Sequence, residues 1–115
     1  MQNQALTVVI ESGESLSGAF DVRQYSQMGI IMPAARTAAN LTFQASDESG
    51  GTYCDVYTDA GDEVSVTAAA SRAISIDLNS SALASYQYLK IRSGTTGTPV
   101  AQGADRTLKI CLKEG

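Results

Sequence analysis

The sequence predicts an all-β chain, a jelly-roll-like β-sandwich of eight to nine short antiparallel strands. Three observations lead to it. Apolar residues recur at a spacing of two, as in Leu6, Val8 and Ile10 or Leu108, Ile110 and Leu112, which is the period of a strand with one buried face. The alternating runs are separated by clusters of Gly, Ser, Asp, Asn and Thr, the residues that favour turns. Strands this short and numerous, without a long helical pattern, must hide their apolar faces in two packed sheets or a closed barrel. A partly open barrel buries alternate residues in the same way, so periodicity alone leaves that architecture open. At 115 residues and 43% hydrophobic content, one domain over residues 1–115 is expected.

Taken in order, Ala5–Ile10 is the first predicted strand, and Ser12–Ser15 supplies the turn after it. Phe20 and Val22 then alternate with Asp21 and Arg23. Gly29–Met32 is apolar on both faces, the pattern of a strand covered from both sides, and Pro33 removes an amide donor where it should stop. Ala34–Asn40 is Ala-rich and fits one helical turn or a crossover loop. In the next run Leu41, Phe43 and Ala45 face one way, Thr42 and Gln44 the other, before the solvated turn Asp47–Gly51. Thr52–Thr58 and Glu63–Thr67, joined through Asp59–Asp62, have the pattern of a hairpin with Val64 and Val66 inward. Arg72–Leu78 repeats the alternation through Ile74, Ile76 and Leu78. Asn79–Ser85 begins with Asn and Ser before Ala82 and Leu83, which predicts a single helical turn with an N-cap. Tyr88–Arg92 and Thr107–Lys113 complete the set.

Composition removes several function classes. Eight basic against twelve acidic side chains give a net charge of −4, the wrong sign for a surface that selects phosphate backbones or anionic lipids, so neither nucleic acid nor membrane is expected as a partner. The absence of His removes the Ser-His-Asp triad, the Cys-His pair and every His-containing metal site. No enzymatic activity is expected. Cys54 and Cys111 are too few for a disulfide framework and too far apart for a C-x-x-C site. No signal-peptide or membrane-span pattern stands out. A product made in a reducing cytosol with two free thiols is therefore expected, one thiol facing inward and the other outward by strand parity.

The candidate sites are few. Asp47 with Glu48, and Asp59 with Asp62 and Glu63, offer oxygen ligands of the kind calcium prefers. Their spacing does not match an EF-hand loop, and turns favour such residues for solubility alone. No cofactor and no required metal are expected. Tyr53, Asp55 and Tyr57 fall on one strand face at period two, and aromatic planes beside a carboxylate suit stacking and hydroxyl recognition of a sugar. These three are the candidate ligand-binding residues, set against a face of Cys54 and Val56 that could equally be the exposed one.

Five segments, MPAARTAANLTFQAS (Met32–Ser46), GTYCDVY (Gly51–Tyr57), TAAASRAI (Thr67–Ile74), YLKIRSG (Tyr88–Gly94) and QGADRTL (Gln102–Leu108), together resemble small β-sandwich structural proteins of tailed-phage virions, of the capsid decoration or cement type. The resemblance implies a protein made in the host cytoplasm that binds the major capsid protein on the outer head surface as a homo-oligomer, with trimers at local three-fold positions a frequent form. A carbohydrate-binding module of the tail or baseplate is the alternative, through Tyr53, Asp55 and Tyr57. Cys54 and Cys111 are not part of the pattern.

Overall fold

The computed structural model describes residues 3–79 and 81–114. Nine strands form: β1 (Asn3–Ile10), β2 (Phe20–Asp21), β3 (Gln27–Ile31), β4 (Leu41–Ser46), β5 (Cys54–Asp55), β6 (Ser65–Val66), β7 (Ala73–Asp77), β8 (Tyr88–Ser93) and β9 (Arg106–Lys113). A four-stranded sheet runs β1-β9-β3-β7, and a five-stranded sheet runs β2-β8-β4-β5 with β6 also on β4. Every ladder is antiparallel. Successive pairs nest, β4 with β5, β3 with β7, β2 with β8 and β1 with β9. The chain is thus one long hairpin ribbon, rolled so that β9 also meets β3 and β8 also meets β4. That is jelly-roll topology, the expected architecture, and the strand order makes the choice that alternation alone leaves open.

Alternation places the core between the sheets. Val8 and Ile10 of β1, Met28 and Ile30 of β3, Ile76 of β7 and Leu108, Ile110 and Leu112 of β9 are buried on one side. Phe20, Leu41, Phe43, Ala45, Leu89 and Ile91 are buried on the other. These inward positions hold no charged side chain, so the desolvation of two facing sheets carries no unpaired-ion cost.

Several local expectations are corrected. Among the described residues nothing covers the outer face of β3: Ile31 is 41% exposed there, because the apolar run ends at the surface of the four-stranded sheet and not between two layers. Residues 34–40 take the loop, one of the two forms expected there, pinned where Arg36 Nη2 donates to Ala68 O (2.8 Å) and where the buried Gln102 accepts from Thr37 N (2.8 Å). The helical turn expected at Asn79–Ser85 is replaced by turns. Ala84 N donates to Ser81 O, and Ser81 Oγ accepts from Leu83 N, so the capping chemistry is present without the helix that three more residues would need. Ser80 lies outside the described residues. The hairpin forms locally through the Tyr57–Glu63 bridge and Val64 N to Val56 O, but β5 and β6 shrink to two residues each because both lie along β4.

The cysteines depart from expectation only in exposure. Both are free and both are exposed. Cys54 does take the inward parity, opposite Ala45 and shared with the buried Val56, but β5 is an edge strand and the core ends before it. Cys111 faces outward on β9.

One turn depends on a backbone conformation that favours glycine. Gly94 follows β8 at φ 89°, and a Cβ there would stand 2.5 Å from Thr98 O and 2.7 Å from Val100 N. Its carbonyl accepts from Thr42 Oγ1 at 2.8 Å, and its amide donates to Asn40 O at 2.8 Å. Gly94→Ala should lower stability by about 2 kcal/mol or more, while Gly97→Ala, with open space around it, should be nearly neutral. Chemical denaturation of the two variants checks the contrast.

Candidate functional site

The outer face of the five-stranded sheet carries the polar side chains that alternation turns away from the core. Three rows cross it: Asp21, Tyr88 and Ser46; then Lys90, Gln44 and Asp55; then Arg92, Thr42 and Ser65. Tyr53, Asp55 and Tyr57 do share this face, and the buried Val56 settles which side of their strand points outward.

The three candidates are not equivalent. Tyr53 is half-buried, donates its hydroxyl to Ser49 O at 2.8 Å, and has Lys90 Nζ 4.4 Å from its ring centroid. Burial, and secondarily the neighbouring Tyr88, raises its phenol above the ordinary value. One aromatic face is therefore already occupied by a cation. Asp55 is taken up by Arg92 Nη2 and Gln44 Nε2. Hydrogen bonding from Arg92 holds its carboxyl below the usual carboxylate range, against a smaller opposing effect of burial. Tyr57, 47% exposed, is the one candidate left open to solvent.

Arg92 organises the rest. It is 5% exposed overall, a position at which a guanidinium must be paired. Besides Asp55, its Nη1 donates to Glu63 Oε2 (3.2 Å), Thr96 Oγ1 (2.9 Å) and Thr42 Oγ1 (3.4 Å). Thr96 in turn donates its hydroxyl to Glu63 Oε2 at 2.6 Å. Glu63, expected as a solvating turn residue, is instead one of the two carboxylates paired with Arg92. Thr42, on the face opposite the core as expected, is fully buried beneath it. A second, more exposed group continues the strip: Arg23 pairs with Asp21 at 3.0 Å and lies 5.5 Å from the Tyr88 ring centroid.

Arg92, Lys90 and Thr96 were not among the sequence candidates, and Glu63 was one only as an oxygen ligand for a cation. The available signal was Tyr88, Lys90 and Arg92 at period two on a strand whose other face is Leu89 and Ile91. Three long polar side chains on one strand face need partners, and only the fold shows that these are Arg23 for Tyr88, Tyr53 for Lys90, and Asp55 and Glu63 for Arg92. Chemically the strip presents Asp55 as a fixed anion in place of a proton donor, and it cross-braces three strands. Asp47, Glu48, Asp59 and Asp62 remain exposed, and among the described residues no group of three or more Cys, Asp or Glu side chains is placed to hold a metal ion. Nor, among those residues, is any helix long and apolar enough to cross a membrane. The cavity beside Met32, Arg36 and Leu108, at about 10 Å3, holds at most one water.

No family model and no curated protein matches the chain. Among solved structures, that of the SPBc2 prophage-derived protein YomS is similar in fold, with a TM-score of 0.54 at 14% identity over 97% of this chain and 95% of that one.

Removing the guanidinium leaves Asp55 and Glu63 facing each other without their cation. Arg92→Ala should therefore cost about 3 kcal/mol, at the lower end for a buried pair because Asp55 and Glu63 side chains keep 25% and 16% of their surface in contact with solvent. Urea denaturation measures it.

The lowered Asp55 carboxyl has a pH consequence of defined sign. Its contribution is complete above the unfolded-state value of about 3.9 and is lost as pH falls through the lower folded-state value. Melting temperature between about pH 4 and pH 2 should drop less steeply in Asp55→Asn than in the unmodified protein.

Proposed function

We propose that this chain is a structural protein of a phage virion, a capsid decoration protein that binds the outer head surface through the major capsid protein and stabilises it. The observation that carries the proposal is the resemblance of five segments, spread from Met32 to Leu108, to decoration-type virion proteins. A jelly roll shared with a prophage-derived protein along nearly the whole of both chains supports it.

Surface chemistry supports the same reading. The outer face of the four-stranded sheet has a central row of Ala5, Cys111, Gly29 and Ser75, bordered by Thr7, Lys109, Ile31 and Ala73. Short side chains lose little rotamer entropy when covered, and they allow close approach of a partner. Repetition on a lattice would let modest patches add to a long-lived attachment. The braced strip on the opposite sheet would resist shear without taking part in contact.

The alternative of a sugar-binding tail or baseplate module has one feature in its favour, the exposed Tyr57 beside the Tyr53–Lys90 pair. It is the weaker reading, since Asp55 is committed to Arg92. Purified protein added to phage heads that lack it should bind saturably and raise the temperature at which they release DNA. Absence of binding to heads, together with glycan binding that is lost in Tyr57→Ala, would replace the decoration reading with the sugar-binding one.

A further inference from the structure

The sheet edges of this molecule are unequally protected. At the edges of the five-stranded sheet, β2, β5 and β6 are two residues long, and the first of them ends on Asp21, with Arg23 two residues on. In the four-stranded sheet the β7 edge is five residues long and lies between Arg72 and Asp77. These are ordinary devices against edge-to-edge pairing. The β1 edge has none of them. It is an eight-residue strand, NQALTVVI, without charge, proline or glycine.

Only one end of that edge is closed. Ile10 pairs with Arg106 on the β9 side, so its second bridge, to Ser17, lies on the open side. From Asn3 to Val9, among the described residues, no backbone hydrogen bond outside the β1–β9 ladder begins or ends. On the inward face Val8 and Ile10 are buried, whereas Leu6 is only partly buried against the core. On the outward face Val9 is 37% exposed, and an open depression of about 340 Å3 lies over Asn3, Ala5, Cys111 and Lys113.

We propose that the Asn3–Val9 edge of β1 is a self-association site, where β1 of a second copy adds antiparallel across a two-fold axis and joins two four-stranded sheets into one. The open edge is centred on Leu6. Antiparallel pairing about that centre sets Leu6 opposite Leu6 of the second copy, Ala5 opposite Thr7, Gln4 opposite Val8 and Asn3 opposite Val9. Each pairing matches like strand faces, as the pleat requires. The two half-covered Leu6 side chains meet on the inward side. The exposed Val9 of each copy arrives beside Asn3 and Ala5 of the other, at the mouth of the depression.

Charge selects this site for a second copy. Two chains of net charge −4 repel at most approaches, and a neutral edge is where the repulsion opposes contact least. A two-fold contact of this kind is closed and self-limiting. It gives a dimer in place of the trimer that the resemblance to decoration proteins implies, and it concerns the isolated protein whether or not the protein binds heads.

The test is light scattering on the purified chain across a dilution series, with hydrogen exchange on the same samples. The unmodified protein should show twice the chain mass, and amides within Asn3–Val9 should exchange faster once diluted to monomer. The double variant Ala5→Glu and Thr7→Glu places like charges directly opposite one another across the axis, next to Lys109 within each copy. It should weaken association at least about tenfold with an unchanged circular dichroism spectrum, while Ser75→Glu on the other edge should leave the mass unaltered. A monomer at about 100 μM, exchange along Asn3–Val9 unaffected by dilution through the dissociation range, or an oligomer insensitive to the double variant would overturn the proposal. The exchange result decides the matter if the double variant fails to fold.

Discussion

The structure depends on β9 reaching the middle of the four-stranded sheet. β9 pairs with β1 along one side and β3 along the other, and its inward residues Leu108, Ile110 and Leu112 are at most 1% exposed. Without it, β1 and the β3–β7 pair would be separate fragments with no common apolar face. The nesting of the ladders makes this a long-range requirement, because the β1–β9 pair encloses all the others. Folding must therefore close large loops before most of the core is rewarded, and topologies of this kind fold slowly for their size.

The same alternation that builds the core assigns two chemistries to the outer faces. On β8, Leu89 and Ile91 point inward, which forces Lys90 and Arg92 outward onto β4. Arg92 is then covered by Glu63, Asp55 and Thr96, so an outward-facing position becomes one of the more buried polar sites in the molecule. On β9 the outward Cys111 meets Ala5 and Gly29, which are too small to cover it. One sheet consequently presents a locked lattice of charges, and the other presents a central row of short side chains, Ala5, Cys111, Gly29 and Ser75.

What was legible in the sequence follows from this. Strands whose inward and outward residues differ in kind, such as Leu108–Leu112 or Leu41–Ala45, were visible as period two, and their existence and facing agree with the structure. Gly29–Ile31 misled because an apolar residue at the surface, Ile31, looks the same in sequence as one covered by a second layer. The shortening of β5 and β6 was hidden because it arises from sharing a single partner strand. For the candidate site, parity placed Tyr53, Asp55 and Tyr57 on one face, but no spacing rule links Asp55 to Arg92 or Glu63 to Thr96. Those contacts depend on which strands become neighbours, and on the turn that Gly94 permits.

The register of the outermost ladder sets how the molecule bears load. Asn3 lies directly opposite Lys113, so the described chain enters and leaves the sheet side by side. Tension applied between these two points pulls across the strands and opens the β1–β9 hydrogen bonds one after another, because ladder bonds lie perpendicular to the strands. Tension between Asn3 and a loop at the far end of the sandwich would instead strain many bonds at once. An attached domain or tether on either side of the fold therefore emerges at the same corner, and the direction of pull, more than the depth of the core, decides the force at which the sandwich opens.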